Sequence, residues 1–241
     1  MGKIISVSGA PEAGKTSVAM KLAQDIYCST TDAAVIFLSP DILTPTMGLL
    51  FPSYNPEEVF SLGKALDNTE ITQEDVLNNL VTVKTMKNFG CLGFKNGDNR
   101  LRFALPTQDK INSLLKVLTQ LSGYLVVDCT NDEADLISKC AIACADNVVC
   151  VVKPDLKCMT YLSSNATTTQ AYTEKTVNVM NCTRSDLYYP VEDVSSLING
   201  VAVTLPYCAE VGQQLLDGTM IQRLKDKKYQ RELHKLTNIL M

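Results

Sequence analysis

Gly9-Ala10-Pro11-Glu12-Ala13-Gly14-Lys15-Thr16 fits the pattern G-x-x-x-x-G-K-[ST]. The residues on either side decide what that pattern means. Ile4-Ile5-Ser6-Val7-Ser8 is short, apolar and β-branched, which predicts a buried strand. Thr16 to Ile26 carries Val18, Ala19, Leu22, Ala23 and Ile26 at helical spacing. A strand that runs through a glycine loop into a helix is an anion-binding arrangement. The glycines let the backbone bend so that successive N–H groups point at one phosphate, and the helix N-terminus adds its dipole. Lys15 supplies a point charge for β- and γ-phosphates, and Thr16 offers a hydroxyl to Mg²⁺. Gly9, Ala10, Pro11, Glu12, Ala13, Gly14, Lys15, Thr16 and Ser17 form the candidate phosphate-binding set.

Composition bounds the rest. A chain of 241 residues with 46% hydrophobic and 20% charged content is globular and large enough for a real core. Its net charge of −4 argues against broad nonspecific nucleic-acid binding. The nine cysteines are odd in number, and no C-x-x-C occurs. Most lie in apolar strand or helix patterns, so they read as reduced, buried side chains in a cytoplasmic protein. Cys140 and Cys144 stand one helical turn apart, but the single histidine, His234, is remote in sequence, which argues against a Cys/His zinc site. No signal peptide is read, and no apolar stretch approaches the roughly 20 residues of a membrane span.

Strands and helices alternate along the chain. Strands are expected at 34–38, 100–105, 125–128, 147–152, 176–181 and 201–205. Helices are expected at 56–66, 72–86, 108–121, 132–144, 155–165, 208–217 and 219–240. Pro56, Glu57 and Glu58 suit a helix start, and Thr72-Gln73-Glu74-Asp75 suits a cap with an acidic first turn. Residues 87–99, rich in glycine and asparagine, read as a loop or weak hairpin. Thr167-Thr168-Thr169 is a small polar patch. The expectation is one α/β domain over residues 1–241, doubly wound, with a mostly parallel sheet flanked by helices.

Leu125-Val126-Val127-Asp128 has the form of an apolar strand ending in aspartate at the carboxyl edge of the sheet, where ligands bind in open α/β folds. Asp128 there can hold Mg²⁺ through water. At this point the order of motifs resembles the MinD/ParA-type P-loop ATPases over nearly the whole chain. Val35-Ile36-Phe37-Leu38-Ser39-Pro40-Asp41 is similar to the family's second strand, which ends in D-x-D; Ser39 stands at the first acidic position and Asp41 at the second. The resemblance implies that Asp41 helps orient the attacking water near the metal. Ala145 to Asp155 is similar to the family's A-D-x-V-x-x-V-x-x-P-x stretch. Val177 to Asn181 ends as the family strand whose terminal asparagine reads adenine, and Val203 to Tyr207, with Pro206, resembles the segment that lines the base pocket. The resemblance thus implies ATP and Mg²⁺ as cofactors, Lys15, Asp41 and Asp128 as the catalytic set, Thr16, Asp41 and Asp128 around the metal, and a homodimer formed with ATP.

One departure matters. The family's loop carries a signature lysine just after the first glycine, which reaches across the dimer to the partner's phosphates. Here that position is Ala10, and Pro11 and Glu12 replace the usual glycines. Losing such a charge can be worth roughly 2–4 kcal/mol in a transition state. Hydrolysis is therefore expected to be slow or absent while binding survives. Similar departures occur in the TadZ/CpaE-like branch, which places secretion and pilus machinery. The leading expectation is a nucleotide-dependent dimerisation switch that positions or assembles a complex through a protein partner. Alternatives are a partition ATPase, a small-molecule ligase or kinase on the same fold, and an ATP-binding scaffold that does not hydrolyse. For a ligase or kinase, the region 42–100 is poor in basic clusters, and Lys84, Lys87 and Lys95 are scattered candidates for fixing a second substrate. The closing segment sets Met220, Ile221, Leu224, Leu233, Leu236 and Leu240 against Arg223, Lys225, Lys227, Lys228, Arg231 and Lys235. Such a helix packs on the sheet with a solvated basic face, or offers that face to anionic lipid at the inner membrane surface, to nucleic acid or to a protein.

Overall fold

β1, Lys3–Gly9, runs through the middle of an eight-stranded sheet and delivers the glycine loop to the sheet's carboxyl edge. The computed structural model describes residues 1–54, 61–83, 85–166, 172–184 and 191–241. The other strands are β2 (Val35–Ser39), β3 (Val81–Val83), β4 (Met86–Gly93), β5 (Tyr124–Asp128), β6 (Asn147–Val152), β7 (Thr176–Asn181) and β8 (Val203–Leu205). Their order across the sheet is β3-β4-β2-β5-β1-β6-β7-β8, and every pairing is parallel except β3 with β4. β1 lies between β5 and β6, with Val7 opposite Asp128 and Gly9 opposite Val151. Those registers bring the glycine loop and the strand-end aspartate to one edge.

The helices among the described residues are α1 (Lys15–Ser29), α2 (Met47–Leu50), α3 (Leu62–Asp67), α4 (Gln73–Asn79), α5 (Gln108–Leu121), α6 (Leu136–Cys144), α7 (Leu156–Ser164), α8 (Val191–Ser195), α9 (Ala209–Leu216) and α10 (Lys227–Leu240). They form a layer on each face of the sheet. Successive residues of a strand feed opposite layers. Val35 and Phe37 of β2 and Val126 of β5 pack with α1, α7 and α10, whereas Ile36, Leu38, Leu125 and Val127 pack with α3 to α6. Burial on both faces is why these strands are apolar throughout rather than alternating.

Four segments depart from the sequence expectation. The helix expected over 72–86 ends at Asn79, although its start is as read: Thr72 and Asp75 form a reciprocal capping box. The chain then enters β3 and β4, so the loop or weak hairpin expected over 87–99 holds only in part: 94–99 is irregular with a turn, whereas Met86–Gly93 is an interior strand beside β2, paired antiparallel with β3. Its glycines mark close approach rather than a turn. A Cβ on Gly90 would lie 2.2 Å from Leu80 Cδ2, and one on Gly93 would lie 2.9 Å from the Ser39 carbonyl oxygen. The strand expected at 100–105 is a turn, because Asn99 Oδ1 accepts from the Leu101 and Arg102 N–H groups (3.0 and 3.1 Å) and folds the chain locally. Of the helix expected at 56–66, residues 56–60 lie outside the described residues, as do Lys84 and Thr167 to Thr169. The closing helix begins at Lys227 rather than 219, where Asp226 caps it by accepting from the Tyr229 N–H at 2.8 Å.

The closing helix α10 turns Tyr229, Leu233, Leu236 and Leu240 into the core beside α1. Its apolar stripe is therefore engaged within the domain. Lys227, Lys228, Arg231 and Lys235 stay exposed, with Arg231 and Lys235 both paired to Glu232. Among the described residues, no helix is long and apolar enough to cross a membrane. Six cysteines are buried as expected, while Cys28 and Cys144 are exposed.

Lys21, only 2% exposed, ties α1 to the segment before α10. Its ammonium donates to Gln24 Oε1 (3.2 Å), Gln214 Oε1 (2.6 Å), and the carbonyls of Met220 and Gln222 (both 2.7 Å). Lys21→Met is expected to destabilise the fold by about 2–4 kcal/mol, since it strands buried acceptors. Burial pushes Lys21 down to about 7, below its unfolded value near 10.4. The unfolded chain then binds more protons between those values, so stability should rise with pH across that window. Denaturant melts of wild type and Lys21→Met from pH 7 to 10 check both points; a slope shared by the two proteins would assign it to other groups.

Candidate functional site

The glycine loop has the conformation that phosphate binding needs. Gly9 (φ 135°) leaves β1 where a Cβ would collide with the Val151 carbonyl oxygen at 2.0 Å. Gly14 (φ 84°) precedes α1, and a Cβ there would meet Asn181 Nδ2 at 2.5 Å. No side chain caps α1 at its N-terminus, so the first-turn N–H groups of Lys15, Thr16 and Ser17 have no partner in the helix pattern and suit an anion. Glu12 adopts φ 59°, the one positive value at a non-glycine among the described residues. A side chain in that region costs roughly 1 kcal/mol.

Ala10 departs from the candidate set. Its N–H donates to the Val151 carbonyl (3.1 Å), its carbonyl accepts from the Ala13 N–H (3.3 Å) and from Lys15 Nζ (3.4 Å), and its methyl is fully buried. Each of these groups faces inward, so Ala10 shapes the loop and presents nothing to a phosphate. Pro11 has no N–H to offer.

Lys15 Nζ also bonds to Asn131 Oδ1, and Asn131 Nδ2 donates to the Gly9 carbonyl (2.9 Å) and to Tyr161 Oη (3.2 Å). Asn131 thus braces both ends of the loop. Nothing in the sequence marks it, because it lies three residues past Asp128 in a connection without a motif. Burial pulls the Lys15 ammonium below the usual lysine range, against the opposing pull of Asp128 and other nearby groups.

Asp128 is 4% exposed. Burial pushes its carboxyl up to about 7, while the Thr16 hydroxyl bonded to it and the Lys15 charge pull it down. A buried carboxylate with this little compensation, beside a hydroxyl and an uncapped helix end, suits a hydrated Mg²⁺; Thr16 and Asp128 would hold it. Asp41 comes to the same place, and its charge is felt at both Lys15 and Asp128. Its carboxylate, however, is folded onto its own loop: it accepts from the N–H groups of Leu43 and Thr44 (both 2.9 Å) and the Thr44 hydroxyl (3.1 Å). Service to a metal or water would compete with those bonds, though Asp41 lines the cavity and Oδ2 accepts only one of them. Ser39 is fully buried and bonded to the Thr46 hydroxyl, so the first acidic position is a packing position here.

Pro11, Glu12, Lys15, Thr16, Asp41 and Asp128 line one cavity of about 250 Å³. Asn181, at the end of β7, donates from Nδ2 to the Ala13 carbonyl at 2.8 Å and so supports the loop from behind. Pro206 follows β8, whose Leu205 pairs with Asn181, so both lie at the same sheet edge. Lys87 lies at the start of β4, next to Met86; β4 runs parallel to β2, so Lys87 lies at the opposite edge from the cavity. The sequence reading also did not show the partner of Glu12: Lys157, in the first turn of α7, bonds to Glu12 Oε1 at 2.7 Å. That contact holds the Glu12 carboxyl below the usual range.

No protein-family model and no curated protein matches this chain. Solved structures do. MinD from Pyrococcus horikoshii OT3, complexed with Mg-ADP, superposes with a TM-score of 0.74 at 17% identity, covering 99% of this chain and 96% of that one. A ParA family ATPase from Chlorobium tepidum TLS gives 0.77 at 10% identity, covering 98% of each. A plasmid partition protein from Borrelia burgdorferi B31, bound to AMPPNP, gives 0.69 at 14% identity over 99% of this chain and 98% of that one. The chain therefore has the MinD/ParA-type P-loop fold over its whole length, as one α/β domain whose sheet is parallel but for one edge strand.

Proposed function

We propose that this protein binds ATP with Mg²⁺ and acts as a nucleotide-dependent switch that positions or assembles a cellular complex, hydrolysing ATP slowly or not at all. The observation that carries this reading is the cavity itself. It joins an uncapped helix N-terminus, a lysine, a threonine hydroxyl and a buried carboxylate around a space suited to a phosphate chain and its metal. The fold supports it, since structures of the same fold hold Mg-ADP and AMPPNP. Lys15 and the α1 N–H groups bind phosphate, Thr16 and Asp128 hold the metal, and Asn131 keeps Lys15 aimed into the cavity. When bound, Mg²⁺ neutralises phosphate charge. Asn181 and Pro206 are the proposed base-side residues.

Slow hydrolysis follows from Ala10. Without a lysine there, the loop's own charge at the phosphates is Lys15 alone. Titration calorimetry and a turnover assay test the reading together. ATP·Mg²⁺ should bind, and turnover should stay below about 1 per second, the low end of ordinary enzymes. Absence of nucleotide binding would defeat the proposal, and rapid turnover would defeat its slow-hydrolysis part. A non-hydrolysing scaffold is the second reading, favoured by the inward-facing Ala10 and the acidic Glu12 in the loop. The complex served is proposed to be a secretion, pilus or conjugation assembly, as in the TadZ/CpaE-like branch, and the site of action the cytoplasm or the membrane's inner face.

Asp41 distinguishes a switch from a scaffold. Its loop is built to close on itself, and a γ-phosphate gives the carboxylate another place to act. Asp41→Ala should leave ADP affinity within about twofold and change ATP affinity severalfold, the low end of typical coupling. Equal losses for both nucleotides would make Asp41 a loop-folding residue only.

A further inference from the structure

We propose that Lys157 is the second phosphate-binding cation of this site, held at the cavity rim by Glu12 and transferred to the terminal phosphate of a bound nucleoside triphosphate. The inference rests on the nucleotide-binding reading above and adds a residue to it.

Two placements that local chemistry disfavours meet in one ion pair. Glu12 is a non-glycine residue at φ 59° within the loop. Lys157 is a cation in the first turn of a helix, where the dipole favours anions. Each sits against its local preference, and each is the other's partner at 2.7 Å. Departures of this kind concentrate where function rather than folding selects the residue. The pair adds little to stability, because the Lys157 and Glu12 side chains are 56% and 69% exposed.

The geometry puts the charge where it is needed. Glu12 lines the same cavity as Lys15, Thr16 and Asp128, so the Lys157 ammonium bonded to it already stands at the rim. A solvated lysine on a flexible stem can leave one carboxylate for a more highly charged phosphate group with a small movement. Lys153 does not compete for this role: its side chain is mostly buried and paired with Asp155 at 2.9 Å. Glu12 then has two effects. It holds Lys157 in place when the site is empty, and it repels phosphate once Lys157 has moved away. ADP, lacking the terminal phosphate, does not draw Lys157 from Glu12.

Titration calorimetry with ATP·Mg²⁺ and ADP·Mg²⁺ tests this on wild type, Lys157→Met, Lys157→Arg, Glu12→Gly and the Glu12→Gly/Lys157→Met double variant. Lys157→Met should weaken ATP binding about tenfold and leave ADP within twofold, with Lys157→Arg restoring most of the loss. Glu12→Gly should tighten ATP. Lys157→Met in the Glu12→Gly background should again lose about tenfold for ATP. Loss of that second effect would mean that Lys157 only neutralises Glu12, and would overturn the proposal. Equal losses for ATP and ADP would overturn it as well. Wild type that binds neither nucleotide would instead remove the reading on which the proposal rests.

Discussion

Lys15→Ala is expected to weaken ATP binding about ten- to hundredfold. A charge-assisted contact is worth about 1.5–3 kcal/mol, and each 1.4 kcal/mol is tenfold in affinity. Lys157, the other cation near the loop, stands at the rim on Glu12 and not inside the cavity. Lys15 is the cation that Asn131 and the Ala10 carbonyl hold inside the cavity. Removing it also deprives Asp128 of a charge that, after the Thr16 hydroxyl, opposes the upward push of burial on its carboxyl. Loss should therefore be larger with Mg²⁺ present than without it, because the protonated carboxyl is the poorer partner for a hydrated metal. Titration of wild type and variant with ATP, in the presence and absence of Mg²⁺, reads both effects. Equal affinity of the two proteins would show that phosphate is not held at this loop.

Legibility differed sharply along the chain. β1, the glycine loop and α1 could be read because each local preference points the same way: β-branched residues, then glycines, then helical spacing. The capping box at Thr72 was legible for the same reason. β4 was not, since its glycines are tertiary in origin: Leu80 and Met47 press on Gly90 and Gly93, and no neighbour in sequence reveals that. In the site, Asp128 stood out as a charge at the end of an apolar strand. Asn131 and Lys157 did not, because each acquires its meaning across more than a hundred residues of chain, through Gly9 and Lys15 for the first and Glu12 for the second. Ala10 was visible as a departure, but its inward packing was not. Position 10 holds a fully buried methyl, so a lysine placed there would have to displace its packed surroundings.

ATP·Mg²⁺ is expected to drive a two-fold dimer with the cavities facing each other, tightening dimerisation by about 5- to 150-fold over ADP, the usual range of coupling between sites. The surface around the cavity argues for it. Leu43, 65% exposed, lines the mouth; Leu105, 53% exposed, lines the adjoining cleft, which shares Asp41, Thr130 and Asp132 with the cavity; and Leu156, 60% exposed, precedes Lys157. Exposed apolar side chains at and near a charged cavity gain from being covered, while phosphate and metal neutralise the charge between the two copies. ADP lacks the γ-phosphate that would release Asp41, so Leu43, two residues away on the same loop, keeps its present position. Only a ligand with different affinity for the two states can shift them, and the same coupling must make ATP bind the dimer more tightly than the monomer. Sedimentation velocity with ATP·Mg²⁺, ADP·Mg²⁺ and no nucleotide measures the shift. Leu43→Ser, which removes the exposed apolar surface without adding charge at the cavity mouth, should weaken the ATP-driven shift much more than it changes ADP affinity. A monomer under all three conditions at high concentration would exclude the dimer switch and leave the scaffold reading in its place.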